Sequence, residues 1–502
     1  MPAEKGPAMA GRLETRARPS AEASPLVLGL DIGTTTITCL AWEPRSGQVV
    51  VVATLDNQAQ TTSQEGRERG HSEWDSQQML KTAYRCVADV VAQLGPRSRD
   101  VAALGLTGQQ HGVVIVDEAL TPLTPFIGWR DQRGNEPWGV GGCSTVDEMM
   151  TRLGDDASKR LGCRPATGYL GTTLYWMQRT SCLPPQGRAC FIVDLCAAML
   201  TGSAVQTDPT NAGGSGLLNL ADRQWDRQAL ELLEIDRRWL PDICEAPTTA
   251  GGLDDRAAAI TNLPRGLPVM VGIGDNQAAF LGSVADRTES ILVNVGTGGQ
   301  VAMYSDAVLT APLLETRPFP GAGNLLVHAG LCGGRSYAAL EVFFQEVGAQ
   351  ILGTGPLSPC YSAMLKAAEQ VADGSDGVVC SPFFTGTRSE PQLRASWSGL
   401  SPENLTPGHL TRALLEGMAS AFAGSGHLIF ETTGRSATRV VGAGNGLREN
   451  RLLALLVAQA FELPMVVASY REEAGLGAAL VAAAGVGICE DLHHASQAVN
   501  FG

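Results

Sequence analysis

The chain has 502 residues, of which 44% are hydrophobic, so it is long enough for several domains of about 100–200 residues with buried cores. Its 37 basic and 51 acidic residues give a formal net charge of −14, which argues against nucleic acid or an anionic membrane as a partner. The twelve cysteines include no C-x-x-C pair, which indicates reduced thiols rather than zinc sites or disulfides. Residues 1–24 lack the apolar segment of a secretory signal and are predicted to be a disordered tail. We therefore expect a cytoplasmic protein.

Three strands and a helix are predicted where the apolar pattern begins. LVLGLDIGTTTITCLAWEP (26–44) is typical of two strands joined by a glycine-threonine turn, and VVVVATLDN (49–57) of a third strand. Ser72 and Asp75 have the spacing of a capping box at the start of an amphipathic helix. VAALGLTG (101–108) then predicts a buried strand that runs into a glycine.

The same order recurs about 260 residues later, in ILVNVGTGGQVAMYS (291–305), NLLVHAGL (324–331) and SYAALEVFFQEVGAQIL (336–352). Two copies of one pattern indicate a duplication. We predict two α/β domains, 25–265 and 266–502, whose glycine-threonine turns face a cleft between them. Three positions correspond in the two turns: Asp31 with Asn294, Gly33 with Gly296, and Thr34 with Thr297.

These two turns are candidate phosphate-binding sites. A glycine-threonine turn presents backbone N–H groups and hydroxyls with little side chain in the way. The chain has only four lysines, and none of them follows a glycine, so no P-loop is present. Two facing turns would hold the two ends of a triphosphate.

A third glycine string, VVGAGNGLREN (440–450), follows an apolar strand and opens a helix. It resembles a dinucleotide-binding fingerprint, but no βαβ repeat is predicted after it. We therefore expect a binding site for adenine and ribose at this strand-to-helix turn.

The candidate general base is Asp275, at the end of the buried strand LPVMVGIGD (267–275). Ligand crevices in α/β sheets open at the carboxyl ends of strands. The same residue could instead be the N-cap of the helix that follows, and both interpretations stay open. In phosphoryl transfer, a carboxylate here would accept the proton of the acceptor hydroxyl.

Two further segments, TGQQHG (107–112) and WRDQR (129–133), mix hydrogen-bonding side chains with an indole. That mixture suits a polyhydroxylated ligand, whose C–H face stacks on an aromatic ring. For the histidine, His111, a structural role is the alternative to contact with a ligand. The polar and aromatic side chains concerned are Gln109, His111, Trp129, Asp131 and Arg133.

Together these segments make the chain similar to the FGGY carbohydrate kinases of the actin/hexokinase/Hsp70 superfamily, over nearly all of residues 26–485. The resemblance implies an α/β fold of two duplicated RNase H-like domains with a central cleft. It also implies a sugar kinase that uses ATP and Mg²⁺, as a monomer or homodimer. The likeness is carried by LDIGTTT, TGQQHG, WRDQR, TDPTNAGGSGLLNL (207–220), GIGDNQAA, NVGTGGQVA and ASWSGLSPENLTPGHLTRALLE (395–416).

The resemblance further implies a role for individual residues. Asp275 would be the general base, and Asp31 would hold Mg²⁺ through water. The sugar would contact Gln109, His111, Trp129, Asp131 and Asn276. The nucleotide would contact Gly33, Thr34, Thr35, Gly296, Thr297, Gly442, Gly444, Asn445 and Asn450.

Within the family, GIGDNQAAFLGSVADRTESILVNVGT (272–297) is most similar to the branch that phosphorylates sedoheptulose, with the xylulose branch next. A non-catalytic sugar or nucleotide sensor on the same fold is the alternative of a different class. Two departures bear on the ligands. Thr38 stands where the first turn usually has Lys or Arg, and Gln110 stands where the sugar loop usually has Met, which predicts a more polar sugar pocket.

Overall fold

The computed structural model describes residues 24–138, 141–354, 358–387, 390 and 392–501. The predicted tail at 1–24 therefore lies outside the described residues, apart from Ser24. No helix in the described ranges is long and apolar enough to cross a membrane. All twelve cysteines are free thiols, as predicted.

The first large sheet has seven strands, in the order β5-β6-β4-β1-β2-β3, with β7 also paired to β4. The hairpin strands are antiparallel, whereas β4 runs parallel to β1. The predictions for 26–57 and 101–108 are confirmed. The strands are β1 (Leu26–Ile32), β2 (Thr36–Glu43), β3 (Gln48–Asp56), β4 (Val101–Gly108), β5 (Thr249–Gly252), β6 (Pro268–Met270) and β7 (Ile273–Gly274).

The second large sheet repeats this arrangement with six strands, in the order β10-β11-β9-β8-β12-β13. Antiparallel β8, β9 and β11 correspond to β1, β2 and β3, and β12 is parallel to β8 as β4 is to β1. The predicted duplication is confirmed. The strands are β8 (Ser290–Val295), β9 (Gly299–Ser305), β10 (Glu315–Pro318), β11 (Asn324–Leu331), β12 (Arg439–Ala443) and β13 (Met465–Val467).

Five two-residue or three-residue strand pairs complete the β-structure of the described ranges. They are Glu73–Trp74 with Phe126–Ile127, Val114–Val116 with Arg188–Cys190, Gln206–Thr207 with Asp242–Ile243, Leu218–Asn219 with Gln224–Trp225, and Val379–Ser381 with Ser396–Ser398.

Helices cover the sheets and connect their strands. Seventeen α-helices lie in the described ranges: α1 (Gln64–Glu68), α2 (Ser76–Leu94), α3 (Thr145–Leu153), α4 (Ala157–Leu161), α5 (Leu170–Arg179), α6 (Ile192–Thr201), α7 (Pro209–Gly213), α8 (Arg227–Leu232), α9 (Asp255–Thr261), α10 (Asp275–Ser283), α11 (Gly334–Gln350), α12 (Tyr361–Ala368), α13 (Pro407–Thr433), α14 (Asn445–Arg448), α15 (Arg451–Phe461), α16 (Glu473–Gly485) and α17 (Leu492–Gln497). Short 3₁₀ helices lie at Gly95–Asp100, Arg133–Asn135, Arg237–Trp239 and Ser375–Gly377.

One hydrophobic core joins the two sheets. It contains Val27 of β1 and Leu292 of β8, together with Phe280 of α10 and Leu480 of α16. The outer face of each sheet is buried in a core of its own. Helix α16 packs on β1, β4 and α10, so a helix from the end of the chain completes the first half of the molecule.

The close packing of α16 depends on glycine. A Cβ added to Gly29 of β1 or to Gly105 of β4 would overlap a backbone carbonyl oxygen of α16, and one added to Gly477 of α16 would overlap a carbonyl oxygen of α10. The helix therefore approaches the sheet backbone to backbone, at a distance that no larger residue permits.

Two predictions for local structure are wrong. Asp75, not Ser72, is the N-cap of α2, and its side chain accepts the N–H of Gln78 at 3.0 Å. The Ser72 backbone N–H donates instead to the Asp131 carboxylate, so a tertiary contact competes with the cap. A βαβ unit does follow the 440–450 string, because β13 lies parallel to β12 after α14 and α15. Strand β13 has only three residues, too few to be recognised as a strand from the sequence.

The strands just after the predicted domain boundary belong to the first sheet. Residues 268–274 form β6 and β7, and both pair with β4. Helix α10 follows them, before β8 opens the second sheet.

Candidate active site

The carboxyl ends of neighbouring strands bring two carboxylates to one edge of the first sheet. Asp31 of β1 lies opposite Thr107 of β4, and Thr107 also lies opposite Ile273 of β7. Asp275 follows β7 and is the first residue of α10, whose N-cap is Gly274. Because these parallel strands end at the same edge, Asp31 and Asp275 flank β4 at the kind of sheet edge where α/β proteins bind ligands.

Both carboxylates are costly to ionise where they lie, and the charge of Asp275 adds to the cost for Asp31. Burial raises the pKa of Asp31 to about 8, and the charge of Asp275 adds to that rise. Burial likewise raises the pKa of Asp275 to about 6, while a hydrogen bond from the Asn276 N–H and the charge of Arg317 oppose it. Such a pair favours a cation beside it, because a cation lowers the cost of holding both groups ionised.

Unpaired amide groups lie beside this pair. The Gln109 side chain follows β4 and is 3% exposed, yet within the described residues neither its amide nitrogen nor its oxygen has a hydrogen-bond partner. The Oδ1 atom of Asn276, the second residue of α10, is also buried and unpaired there. Buried polar groups in folded proteins are normally paired, so these atoms are placed for a polar ligand.

His111 is held in place by protein contacts. Its ring stacks on Tyr169 with centroids 4.2 Å apart, and its Nδ1 lies 2.7 Å from the Gly214 carbonyl oxygen. The ring is only partly buried.

Trp129 connects the sugar-site segment with the first glycine-threonine turn. Its indole is 42% exposed, and its Nε1–H donates to the Thr34 hydroxyl at 3.0 Å. The Arg130 guanidinium lies 4.8 Å from the centre of the indole ring. One residue thus touches both predicted ligand subsites.

Asp131 lies behind this surface rather than on it. Its carboxylate is fully buried and accepts hydrogen bonds from the Arg133 guanidinium and from the Ser72 N–H. The Thr167 hydroxyl donates to its carbonyl oxygen at 2.7 Å. The predicted sugar contact of Asp131 thus has no support in this geometry. The residue anchors the segment that carries Trp129.

Each glycine-threonine turn is fixed by a neighbouring segment. In the first, Asn57 donates from its side chain to the Gly33 carbonyl oxygen at 2.9 Å and from its backbone to that of Thr35 at 2.8 Å. In the second, the start of α11 donates backbone N–H groups to the turn, at 2.9 Å to Gly296 and at 3.0 Å to Thr297. Both turns are therefore held by hydrogen bonds to a neighbouring segment.

The residues of the third glycine string differ in their exposure and in their contacts. Gly444 has φ +81° and fits closely against Val295 and Asn294 at the end of β8, while Asn445 is exposed. Gly442, by contrast, is buried within β12. Another of the predicted nucleotide residues, Asn450, caps α15 through its side chain.

The two departures from the family pattern are both buried and hydrogen-bonded within the protein. The Gln110 amide donates to the Thr210 carbonyl oxygen at 2.9 Å and is 4% exposed, so it does not add polarity to the pocket as we predicted. Thr38 is buried against the Thr54 hydroxyl at 3.0 Å.

Sequence reasoning missed the residues that hold β7. The Gly274 N–H donates to the Thr210 hydroxyl at 2.9 Å, and the Asn211 amide donates to the Gly272 carbonyl oxygen at 2.9 Å. Both residues belong to the TDPTNAGGSG segment, which is the signal that could have found them.

The residues at this edge and in the second glycine-threonine turn fit Mg²⁺ and a phosphate chain. Oδ1 of Asp31 is buried without a hydrogen-bond partner in the described part of the chain, and oxygen is the ligand atom that Mg²⁺ prefers. A Cβ added to Gly296 or Gly298 would meet no atom closer than 3.7 Å, so a phosphate can approach that backbone.

Protein-family comparison identifies the class of protein that this fold and site define. The FGGY family of carbohydrate kinases matches with its N-terminal domain at residues 26–282 and its C-terminal domain at residues 317–486. The chain belongs to the FGGY family of carbohydrate kinases. The resemblance read from its motifs is confirmed, and the protein is a kinase rather than a sensor.

Individual relatives cover almost the whole chain. Sedoheptulokinase from Homo sapiens is 29% identical over 497 residues, which cover 91% of this chain and 97% of the relative. Xylulose kinase from Lactococcus lactis is 24% identical over 482 residues, which cover 94% of this chain and 90% of the relative. The solved xylulose kinase from Rhodospirillum rubrum superposes with a TM-score of 0.82 over 95% of this chain and 93% of that one, at 24% identity. The expected fold of two duplicated domains with a central cleft is confirmed.

Proposed function

We propose that this kinase transfers the γ-phosphoryl group of ATP to a terminal hydroxyl of a ketose, and that its preferred substrate is sedoheptulose, giving sedoheptulose 7-phosphate. The observation that carries the proposal is the position of Asp275 beside the unpaired amide groups of Gln109 and Asn276. A base next to buried, unpaired hydrogen-bonding groups suits a substrate with many hydroxyls. The similarity to sedoheptulokinase from Homo sapiens supports the choice of sugar.

In this proposal Asp275 accepts the proton of the terminal hydroxyl as that oxygen attacks the γ-phosphorus. Gln109 and Asn276 hydrogen-bond sugar hydroxyls, and Trp129 stacks on the C–H face of the sugar. The two glycine-threonine turns hold the phosphates through backbone N–H groups. Mg²⁺, held through water by Asp31, would neutralise phosphate charge as the reaction proceeds.

D-Xylulose is the second candidate substrate. Xylulose kinase from Lactococcus lactis matches 94% of this chain, and the TGQ-x-HG and W-x-D-x-R segments do not separate the two branches. The chemistry of Asp275 would be the same with the shorter sugar, since only the distance from the stacked ring to the terminal hydroxyl differs.

The test is a coupled ADP-release assay with MgATP and sedoheptulose, D-xylulose, D-ribulose, L-ribulose or glycerol as acceptor. We expect sedoheptulose to give the highest kcat/KM, with D-xylulose next. A higher kcat/KM with D-xylulose would refute the preferred substrate and leave the kinase chemistry standing. No turnover with any ketose would refute the proposed acceptor class.

A further inference from the structure

The proposed nucleotide site is short of positive charge. Asp31 and Asp275 lie at its base, and a triphosphate would add more negative charge. The three lysines in the described ranges, Lys81, Lys159 and Lys366, lie on α2, α4 and α12 rather than in the segments that form this site. Backbone N–H groups carry only partial charges, so a full cation near the phosphates would add substantially to binding.

Three arginines in the segments around the proposed site are already paired with carboxylates. The Arg133 guanidinium binds Asp131 and Glu73, and Arg317 binds Glu315. In α14, Arg448 forms an ion pair with Glu473. An arginine committed to a carboxylate in this way is poorly placed to bind a phosphate.

Arg335 differs from these arginines in its lack of a carboxylate partner and in its position beside the second glycine-threonine turn. Its side chain is exposed, and within the ranges that the structure describes its guanidinium forms no ion pair or hydrogen bond. Its backbone N–H donates to the Thr297 carbonyl oxygen at 3.0 Å, so the residue is fixed to the second glycine-threonine turn. The preceding Gly333 packs against Gly298 so closely that a Cβ would not fit.

The position of Arg335 also directs its side chain. It is the second residue of α11, a helix of 17 residues that begins at Gly334. The Cα–Cβ bonds of a helix tilt toward its N-terminus, which here is the end that contacts the turn. The guanidinium can therefore extend over the turn, where it would meet a bound phosphate chain.

We infer that Arg335 is a phosphate-binding residue of this kinase, which holds the polyphosphate of the nucleotide over the second glycine-threonine turn. The inference rests on the proposed ATP site and goes beyond it by naming the cation. A planar guanidinium suits this role because it can donate two parallel hydrogen bonds to phosphate oxygens.

The test compares MgADP with adenosine, which has no phosphate, by calorimetry on the full chain. We expect Arg335→Gln to weaken MgADP binding about 10- to 100-fold and to leave adenosine binding unchanged. Arg335→Lys should give an intermediate affinity, because lysine keeps the charge but loses the paired hydrogen bonds. In kinetics, KM for ATP should rise while KM for the sugar stays constant.

Arg227→Gln is the matched control, since Arg227 is also exposed in the first turn of a helix, α8, which packs on α3. It should bind MgADP like wild type. If wild type binds MgADP and Arg335→Gln binds it equally well, this inference is overturned and the proposed function is not. Equal losses for MgADP and adenosine would also overturn it, because they would indicate damage to the whole site. A wild-type chain that binds no MgADP would overturn the proposed function as well.

Discussion

Asp275 combines a raised pKa with a position beside unpaired hydrogen-bonding groups. Catalytic bases are commonly tuned in this way, because a carboxylate with a pKa nearer to the working pH accepts a proton more readily. The Asn276 N–H and the Arg317 charge limit the rise, so the group remains ionised at neutral pH. As the proposed base, Asp275 would therefore be both available and reactive.

Replacement of Asp275 tests its role as the base. Asp275→Asn keeps the size of the side chain but cannot accept the proton, so we expect kcat to fall about 10²- to 10⁴-fold. MgADP affinity should stay within about threefold of wild type, because the variant leaves both glycine-threonine turns intact. Activity close to that of wild type would contradict the assignment.

The pH dependence follows from the same carboxyl. Its pKa is about 6 in the ligand-free protein, and only the ionised form can act as a base. At saturating MgATP, where the bound Mg²⁺ would keep Asp31 ionised, we expect kcat/KM for the sugar to be constant above that pH and to fall tenfold per pH unit well below it, in steady-state assays between pH 4.5 and 8. A profile that stays flat down to pH 5 would contradict this prediction.

Part of the site follows from residue patterns, and part does not. Asp31 and Asp275 stand at predicted strand ends, and strand ends of parallel sheets meet at one edge. Asp131 looks the same in sequence, as a carboxylate between an indole and an arginine, but its partner Ser72 lies 59 residues away. No local pattern reveals that distant contact, so anchoring and sugar-binding residues cannot be separated before the fold is known.

At the scale of elements, the Trp129 indole links the sugar segment to the first glycine-threonine turn. Trp129→Phe keeps an aromatic ring but removes the N–H that donates to Thr34. Because a hydrogen bond of this kind contributes about 0.5–1.5 kcal/mol, we expect MgADP affinity to fall about two- to tenfold. Thr34→Ser keeps the hydroxyl and is the control. Equal MgADP affinities of Trp129→Phe and wild type, measured by calorimetry, would contradict the link.

The packing of α16 provides a second test at this scale. Gly477→Ala would push a methyl group into a carbonyl oxygen of α10, and we expect a loss of about 1–3 kcal/mol in the free energy of unfolding. Gly424→Ala is the control, because Gly424 lies inside α13 with no atom within 4 Å of the added Cβ. There, alanine should stabilise by up to about 1 kcal/mol. Equal effects of the two variants in denaturant unfolding would contradict the close packing.

The placement of α16 could not be predicted from its sequence. Its Ala-rich and Gly-rich run is apolar on all sides, which indicates only that the helix is buried. The glycines it meets, Gly29 and Gly105, stand in strands near the other end of the chain. The strands themselves were predictable because alternating and continuous apolar runs, broken by glycine, are local signals.

In the whole molecule, one α/β unit occurs twice, and each copy carries a glycine-threonine turn where its first strand ends. The first copy adds the carboxylates and the sugar segments, and the second adds α11 and the 440–450 string. In the proposed function, the sugar and the nucleotide would be divided between the two copies, and a cleft that closed on both would exclude water, which otherwise competes as acceptor.

The central claim is transfer of phosphoryl from ATP to a ketose hydroxyl with Asp275 as the base. The most direct test is ³¹P NMR of a reaction containing MgATP, sedoheptulose and either wild type or Asp275→Asn. We predict that wild type gives ADP and an equal amount of a sugar phosphomonoester at the terminal carbon, and that the variant gives almost none. Inorganic phosphate in place of the sugar phosphate, or equal product from both proteins, would contradict the account.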